Sequence, residues 1–556
     1  MIQKELLELF NISLKKIGIE NQEIKLIFPS NISFGDFTTN VAMELAKEVR
    51  KNPMVFAEEI VKNIPDNNII KKINVAKPGY INFFLKEDII HKQILKILNN
   101  DSELFDDIKK QKILIEFGQP NTHKVPHVGH LFSYIYGESL SRIFEYIGYD
   151  VKRLNYQGDV GLHVAKCLYV LKENDKSINK LKSLKEKINL LQEAYQKGSE
   201  LYEKDKNIEK NIDNLNIQIY NKNPKIFKLW EETRKWSLDF YKEFENILGV
   251  KYTKNYFESE CSEIGKDIVK KNLNRVFEKS QNAIIFKGEK HGLHTRVFIN
   301  KYGNPTYEGK EIGLNFKKMN DFDFNTSIVT TANEQNEYYK VTTKASEILF
   351  PQLKNKLKHL GYGMISLETG KMSSRRGKIV DAINLIEIIK NQIIKEYKTS
   401  PSIAQALSIA SIKYSFLMSD PFKNIEFNLE KSIAKEGNSA AYILYTYVRT
   451  LGILNKTQNK NNFVDLSNLN NEENHIIRFL NLFINIIKSS AFSYKPSFIA
   501  TYLYELSKMF NLFYQKHRVL KADIKNKDKR IFITSSVGKI IKIGLDLIGI
   551  ETVDKM

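Results

Sequence analysis

The chain has 556 residues, 42% of them hydrophobic, and is long enough for about three or four domains with buried cores. It has neither an apolar run of about 18–20 residues nor the regions of a signal peptide, so we expect a cytoplasmic protein with no membrane partner. The net charge of +20 suits a polyanionic partner such as a nucleic acid, although the abundance of Lys throughout the chain gives the same charge by composition alone.

The N-terminal part has the pattern of a small α+β module. Helical periodicity and short apolar strands surround a stretch rich in Gly, Ser and Pro, with helices expected over 2–17 and 38–63 and strands over 70–76 and 80–85. The polar stretch 99–103 marks the end of this module. We therefore predict an N-terminal domain over residues 1–98.

A β-α-β pattern follows this boundary. Residues 113–117 form a short apolar strand, and a turn-rich loop leads into the helical spacing of 130–147. Gly148 ends that helix before a second apolar strand at 151–155. A strand, loop, helix and strand in this order open a nucleotide-binding α/β domain, which we place over residues 110–390.

The rest of the chain is mainly helical. Residues 165–250 are rich in Lys, Asn and Glu, which predicts a solvated helical insertion without chemistry of its own. Strands are expected again within the α/β domain, at 283–286, 296–299 and 327–331. Amphipathic helices then run over 381–521, and a short helix follows near 535–547. We assign residues 391–556 to an all-helical C-terminal domain.

The segment His127-Val-Gly-His130 stands where the first strand of the α/β domain passes into its helix. A helix N-terminus presents free N–H groups and a positive dipole end to phosphate. Gly129 leaves room for a base or ribose, and the two imidazoles can donate hydrogen bonds to phosphoryl oxygens as negative charge builds up. We predict an ATP site here, although four such common residues are a weak signal on their own.

A second segment, Lys371-Met-Ser-Ser-Arg-Arg-Gly377, strengthens this prediction. Lys371, Arg375 and Arg376 are mobile cations of the kind that close over a leaving diphosphate. A solvated basic loop would have the same composition. It is the order and the setting of the two segments together that indicate ATP chemistry.

The pair of segments resembles the HIGH and KMSKS signatures of the class I aminoacyl-tRNA synthetases. The resemblance implies a Rossmann-type parallel-sheet core, ATP bound with Mg²⁺, and ATP contacts from His127, Gly129, His130, Lys371, Met372, Ser373 and Arg375. Ser374 stands where the class usually has its second lysine, so one phosphate-binding cation is missing. Lys124 is our candidate replacement, and we expect catalytic roles for Lys124, His127, His130 and Lys371.

Within this class the stretches 116–130, 155–161, 306–313 and 332–335 resemble the arginyl-tRNA synthetases, and the likeness extends over essentially the whole chain. The resemblance implies that the carboxylate of arginine attacks the α-phosphorus of ATP. The terminal adenosine of tRNA-Arg then accepts the arginyl group, without a side-chain nucleophile or general base. We expect a monomeric enzyme.

The arginine pocket follows from chemistry and from this resemblance together. A planar, charged guanidinium requires carboxylates and a neutral acceptor around it. Glu116 ends the first core strand, and Tyr307 and Glu311 lie four apart on one face of an expected helix. By resemblance, Asn121 and Gln335 hold the α-amino and carboxylate groups. Three residues depart from the family pattern: Glu311 stands where most members have Asp, Gln119 where they have Ser, and Val160 where they have Trp. Glu311 could instead be a surface residue of its helix.

Predicted tRNA contacts lie towards both ends of the chain. Tyr442, Tyr445 and Arg449 share one helical face, which in an arbitrary helix would be an aromatic core stripe. Here the pattern resembles the anticodon-binding helix of the family, where such residues stack on splayed bases. Further candidates, by the same resemblance, are Tyr514, Met556 and, in the N-terminal module that meets the tRNA elbow, Asn82.

Three other functions remain open from the sequence. A different class I synthetase would lack the carboxylates of this pocket, and those for cysteine or methionine often carry zinc, for which Cys167 and Cys261 are too few and too far apart. No structural zinc is therefore expected. An HxGH nucleotidyltransferase would need neither a long helical C-terminal domain nor a large positive net charge. A synthetase-like RNA-binding protein would not need an intact ATP motif.

Overall fold

The computed structural model of the protein describes residues 2–20, 22, 24–27, 29, 32–172, 181–368, 381–457 and 464–555. An N-terminal module, a parallel-sheet domain and a helical C-terminal domain follow one another along the chain. Six residues predicted to bind ATP, its leaving diphosphate or tRNA lie outside the described ranges: Lys371, Met372, Ser373, Arg375, Arg376 and Met556.

The N-terminal module is an antiparallel sheet, in the order β1-β3-β2, covered by helices. Its elements are α1 (Ile2–Lys16), β1 (Phe37–Thr39), α2 (Val41–Leu45), α3 (Pro53–Lys62), β2 (Ile70–Ala76), β3 (Tyr80–Leu85) and α4 (Glu87–Leu98). The single helix predicted over 38–63 is wrong. Asn52 caps a new helix by accepting a hydrogen bond from the Met54 N–H at 2.9 Å, and Pro53 fits the first position of that helix.

Five parallel strands form the centre of the α/β domain, in the order β11-β10-β4-β5-β6. They are β4 (Lys112–Glu116), β5 (Asp150–Gln157), β6 (Lys254–Phe257), β10 (Thr326–Ala332) and β11 (Leu357–Tyr362). A small antiparallel sheet of β7 (Glu278–Ser280), β8 (Ala283–Phe286) and β9 (Arg296–Ile299) precedes β10, and β12 (Ile365–Leu367) pairs with β13 (Ile425–Phe427). Because β5 and β10 flank β4 on opposite sides, a crevice opens at the carboxyl ends of these strands.

The strands β6 and β11 were not expected from the sequence. Both lie at the edges of the sheet. Their sequences mix polar and apolar residues, whereas β4 is buried from Ile113 to Glu116. A central strand is covered on both faces and has a continuous apolar run, and an edge strand need not have one.

The helices of this domain are α5 (Val128–Tyr146), α6 (Leu162–Lys172), α7 (Leu184–Lys204), α8 (Lys206–Tyr220), α9 (Pro224–Leu248), α10 (Glu258–Lys271), α11 (Tyr307–Asp321) and α12 (Asn336–Leu349). The insertion formed by α7, α8 and α9 has a core of its own around Leu191, Ile212 and Trp236. The insertion also contacts the loop after β4, because Tyr241 Oη donates a hydrogen bond to the Asn121 carbonyl oxygen at 2.5 Å. The insertion is helical, as the sequence predicts, and each helix buries one apolar stripe beneath its charged face.

The C-terminal part of the chain is helical, with α13 (Ala382–Tyr397), α14 (Pro401–Leu417), α15 (Leu429–Ser432), α16 (Ala440–Leu454), α17 (Asn471–Asn481), α18 (Phe483–Ser493), α19 (Ser497–Lys516) and α20 (Ile524–Leu547). The last helix starts earlier than predicted, because Asp523 caps it by accepting the Asn526 N–H at 3.0 Å. Among the described residues, 471–493 alone is long and apolar enough to cross a membrane, yet 56% of its most apolar window is buried in the protein. A buried ion pair of Arg478 with Asp36 joins this part of the chain to the N-terminal module.

The helices α10 and α11 are in backbone contact. Gly265 on α10 and Gly309 and Gly313 on α11 stand at this contact. A Cβ at Gly313 would overlap the carbonyl oxygen of Cys261, and a Cβ at Gly265 would overlap that of Gly309. The position of α11 therefore depends on residues without side chains.

Gly313→Ala is expected to lower the free energy of unfolding by about 1–3 kcal/mol, because the new methyl group must push α11 away from α10. In an open helix the same change would stabilise by up to about 1 kcal/mol. Gly452→Ala in α16 is the matched control, since nothing lies within 4 Å of its Cβ position. Thermal and denaturant unfolding measure both variants. Equal stabilisation by the two substitutions would contradict the backbone contact.

Candidate active site

A cleft of about 1040 Å³ opens at the carboxyl edge of the parallel sheet. The residues that end or follow the strands form its walls, among them Glu116, Gln119, Asn121, Tyr156, Gly158, Glu258, Ala332, Gln335 and Tyr362. The start of α5 contributes His127, Gly129 and His130, and α11 contributes Tyr307 and Glu311. Distant parts of the sequence thus meet where open parallel sheets bind their ligands.

The His127-Val-Gly-His130 segment caps α5 with its own imidazoles. His127 Nδ1 accepts a hydrogen bond from the Gly129 N–H at 3.0 Å, and His130 Nδ1 accepts one from the His127 N–H at 3.3 Å. The two ring centroids lie 3.9 Å apart. Because each Nδ1 is an acceptor, each neutral ring carries its proton on Nε2. The cleft therefore has two Nε2–H donors at the helix N-terminus.

Both imidazoles are held in the neutral form. Burial lowers the pKa of His127, and the charge of Lys124 lowers it further. Burial, followed by His127 and Lys124, lowers the pKa of His130 to about 3. The two hydrogen-bond donors are therefore constant through the neutral pH range.

The described residues that flank the Lys371 segment in the chain lie at the cleft or contact His127. Leu367, before it, lines the cleft. Asp381, after it, forms an antiparallel backbone bridge with His127. The roles of Lys371, Met372, Ser373 and Arg375, which lie between these two points and outside the described residues, stay predictions.

Lys124 contacts the insertion. Its Nζ lies 4.4 Å from the ring centroid of Tyr195 on α7, a cation–π contact. Its charge still acts on His127 and His130, whose pKa values it lowers. The ammonium group thus lies near His127 and His130 and contacts an aromatic ring of the insertion.

Glu116 has partners within the protein. Its side chain is 1% exposed and forms an ion pair with Lys318 on α11, which is also 1% exposed. Gln119 Nε2 donates to Glu116 Oε1 at 2.9 Å. The charge of Glu116 is therefore compensated before any ligand arrives, and a guanidinium would have to share this carboxylate with Lys318.

Glu311 lies at the cleft with a neutral hydrogen-bond donor. It is 3% exposed, so its alternative role as a surface residue is wrong. In the part of the chain that the structure describes, no Lys or Arg forms an ion pair with it, and Tyr338 Oη donates to its Oε2 at 3.4 Å. Burial raises its pKa to about 7, with Lys318 opposing this shift and Glu116 adding to it. Such a carboxylate gains most from a cationic ligand.

The other residues predicted for the arginine pocket line the same cleft. Asn121 forms a backbone bridge with Gly158, where a Cβ would overlap the Asn121 Oδ1 atom. Gln335 lies in the exposed turn after β10. Tyr307, at the start of α11, is 62% exposed. Because Gly158 has no side chain, the Asn121 side chain can lie against the backbone at the end of β5.

Sequence reasoning missed a second buried ion pair at the cleft. Glu258, directly after β6, is 5% exposed and accepts a hydrogen bond from Lys310 Nζ at 2.6 Å. Burial raises the pKa of Glu258, and Lys310 opposes this shift. Glu116 was predicted as a site residue because it is a carboxylate at the end of a sheet strand. The same rule would have predicted Glu258 if β6 had been expected.

A surface in the C-terminal domain combines aromatic and basic residues. The guanidinium carbon of Arg449 lies 4.8 Å from the ring centroid of Tyr445 and 5.0 Å from that of Tyr514. These tyrosines are 50% and 41% exposed, so the core-stripe alternative is wrong for Tyr445. Tyr442 is half-buried, with its ring 5.8 Å from that of Tyr504. The helices α16 and α19 thus bring Tyr514 beside a face recognised in the sequence.

Asn82 lacks such accessibility. It lies in β3, the middle strand of its sheet, between Thr38 and Asn74, and is 4% exposed. Tyr80, at the start of the same strand, is 39% exposed. The burial of Asn82 argues against a direct contact of its side chain with tRNA.

An HxGH segment that caps the first helix of a parallel-sheet domain, followed by a helical domain, is the arrangement of the class I aminoacyl-tRNA synthetases. Residues 93–429 match the family model "tRNA synthetases class I (R), catalytic domain". Residues 2–85 match the arginyl tRNA synthetase N terminal domain, and residues 443–556 match the DALR anticodon binding domain. The chain belongs to the arginyl-tRNA synthetase family.

Relatives match along the whole chain. The arginine–tRNA ligase of Fusobacterium nucleatum is 30% identical over 100% of this chain and 99% of its own length. That of Borrelia duttonii is 31% identical over 100% of this chain and 98% of its own length. The solved structure of Thermus thermophilus arginyl-tRNA synthetase has a TM-score of 0.81 at 22% identity and covers 100% of both chains. The predicted fold class, family and enzyme class are confirmed.

Proposed function

We propose that the protein uses ATP to activate arginine and then transfers it to tRNA-Arg. One observation carries this proposal: two neutral Nε2–H donors, from His127 and His130, and the buried carboxylate of Glu311 share one cleft. The donors suit the phosphates of ATP, and the carboxylate suits a guanidinium. The two substrates would then meet at the carboxyl edge of the sheet.

In the first step the carboxylate of arginine attacks the α-phosphorus of ATP. A bond from the carboxylate oxygen to phosphorus forms, the bond to the bridging oxygen breaks, and diphosphate leaves with its electron pair. His127 and His130 stabilise the charge on the phosphoryl oxygens without exchanging a proton, because their lowered pKa values keep both rings neutral. Asn121 and Gln335 hold the α-amino and carboxylate groups, so the reacting atoms are already in place.

In the second step the 2′-hydroxyl of the terminal adenosine attacks the carbonyl carbon, and AMP leaves. The family resemblance supports roles for Lys371, Met372, Ser373 and Arg375 at the phosphates, and Lys124 supplies a further positive charge. Mg²⁺ enters with ATP as part of the substrate. The described residues contain no group of three or more His, Cys, Asp or Glu side chains that could hold a metal ion.

The exposed rings of Tyr445 and Tyr514, with Arg449 between them, support stacking on anticodon bases. We include Tyr442 and Met556 in this surface by family resemblance. We expect the enzyme to act as a monomer. We place this activity in the cytoplasm.

Pyrophosphate exchange with a panel of amino acids, with and without tRNA-Arg, tests the proposal. Arginine is expected to stimulate exchange when tRNA is present, and lysine and methionine are not. Failure of arginine under these conditions would overturn the proposal and favour another class I synthetase. Exchange that needs no amino acid would favour a nucleotidyltransferase.

The affinity for arginine is expected to fall at acidic pH. Glu311 must be ionised to hold a guanidinium, and its pKa in the ligand-free protein is raised to about 7. The KM for arginine should be constant well above this pKa and rise towards about tenfold per pH unit below it. Glu311→Gln should have a flat profile over the same range. A flat profile for the wild type would contradict the raised pKa of Glu311.

Tyr445→Ala is expected to raise the KM for tRNA by about 10–100-fold, because stacking on one base contributes about 1–3 kcal/mol. The KM for arginine should not change. Phe492→Ala removes an aromatic side chain that is 52% exposed elsewhere in the same domain and serves as the control. Equal effects of the two variants on aminoacylation kinetics would exclude a specific tRNA surface at Tyr445.

A further inference from the structure

One hydroxyl group at the cleft has no role in the reaction described above. Tyr156, near the end of β5, lines the cleft, and its hydroxyl oxygen is buried. Within the described ranges, this oxygen has no hydrogen-bond partner. Tyr256, its partner in register on β6, instead donates to Asp321 Oδ2 at 2.7 Å. A buried polar atom without a partner costs stability, so its presence at a cleft points to a ligand.

The surroundings of the Tyr156 hydroxyl are those of the arginine end. Its pKa is raised well above the ordinary value, first by burial and then by Cys261, Glu258 and Glu311. The phenol therefore stays protonated and keeps its lone pairs for an N–H donor.

We propose that Tyr156 Oη is the neutral acceptor for the guanidinium of arginine and determines the affinity for this substrate. This inference rests on the proposed function. A guanidinium offers more N–H donors than the single carboxylate of Glu311 can accept. Of the other carboxylates that line the cleft, Glu116 and Glu258 already hold Lys318 and Lys310. Glu308 holds Arg296. Tyr156 Oη is thus a neutral acceptor at the cleft without a hydrogen-bond partner among the described residues.

The geometry of the ligand explains why such an acceptor selects arginine. A planar guanidinium directs separate N–H groups to a carboxylate and to a hydroxyl at the same time. An ammonium group is a compact charge at the end of a flexible chain and lacks this fixed fork. Loss of the hydroxyl should therefore reduce the preference for arginine over lysine as well as the affinity.

Tyr156→Phe removes only the oxygen and tests the inference. The KM for arginine should rise about tenfold or more, with kcat and the KM for ATP little changed. Butylguanidine, which keeps the guanidinium and an alkyl chain only, is the probe for the guanidinium end. Its inhibition constant against arginine should rise by the same factor. The Tm should be equal or higher, since the lost oxygen has no partner in the described protein.

Tyr256→Phe is the matched control, because it removes the same atom from the neighbouring strand. It should lower the Tm through the lost bond to Asp321 and leave the KM for arginine unchanged. An unchanged KM in Tyr156→Phe would overturn the inference. So would a raised KM with an unchanged inhibition constant, which would assign the hydroxyl to the α-amino or carboxylate end. A Tm lowered as in the control would show a structural role and would also overturn it. A wild-type protein that fails to charge tRNA-Arg would refute the proposed function itself, which the Tyr156 measurements cannot do.

Discussion

Glu311→Gln is expected to raise the KM for arginine by about two to three orders of magnitude, because loss of one partner from a buried charge pair costs about 3–5 kcal/mol. The substitution keeps the size of the side chain and an oxygen for the Tyr338 hydroxyl. The KM for ATP should not change, since the phosphate contacts that we propose come from His127 and His130 and not from Glu311. Burial already disfavours the charged form of Glu311, so the neutral variant should fold at least as stably. Steady-state aminoacylation with varied arginine measures the effect.

Two variants control this experiment. Glu311→Asp restores the residue usual in the family and should retain most of the affinity, with some loss because the carboxylate is one methylene shorter. Glu260→Gln removes a 44% exposed partner of Lys317 from the neighbouring helix α10 and should leave the kinetics unchanged. If Glu311→Gln has no larger effect than Glu260→Gln, then Glu116, and not Glu311, is the carboxylate that binds the guanidinium.

His130→Asn is expected to lower the rate of arginine-dependent pyrophosphate exchange by about 10²–10³-fold. Loss of one hydrogen-bond donor that is preorganised towards a developing negative charge has an effect of this size in other enzymes. The shorter amide can still accept the His127 N–H, so the helix cap should survive. It cannot place a donor where His130 Nε2–H lies. Single-turnover formation of arginyl-adenylate, with tRNA present, separates this effect from substrate binding.

His130→Gln, whose amide reaches towards the Nε2 position, should recover part of the rate. His291→Asn, at an exposed histidine away from the cleft, should have no effect on it. Full activity of His130→Asn would show that the backbone N–H groups of α5 are sufficient for the phosphates. An equal loss for Asn and Gln would favour a role in shaping the helix N-terminus.

The phosphate end of the cleft could be predicted from the sequence because its geometry is local. The hydrogen bonds that orient His127 and His130 join residues two or three positions apart. The apolar run of β4 and the periodicity of α5 fix the strand and the helix on either side of them. The orientation of these two side chains therefore depends on the local sequence and not on where the helix lies in the fold.

The arginine end could be predicted only in part. The sequence identified Glu116, Tyr307 and Glu311 as a set and left the surface role of Glu311 open. The structure distinguishes the two carboxylates, because Lys318 forms an ion pair with Glu116 and not with Glu311 among the described residues. The ion pair of Lys310 with Glu258 stayed hidden, since β6 has the mixed pattern of an edge strand.

The sequence by itself determined the family, the sheet and its capped first helix, and the chemical groups available for ATP and arginine. Only the tertiary structure decided three points: which carboxylate lacks an ion pair among the described residues, that the Tyr156 hydroxyl has no partner among them, and that Tyr514 lies against Arg449. The reason is physical. Charge compensation and hydrogen bonding depend on distances of a few ångströms. Between residues far apart in the chain, those distances are set by the order of the strands and by the contact of α10 with α11.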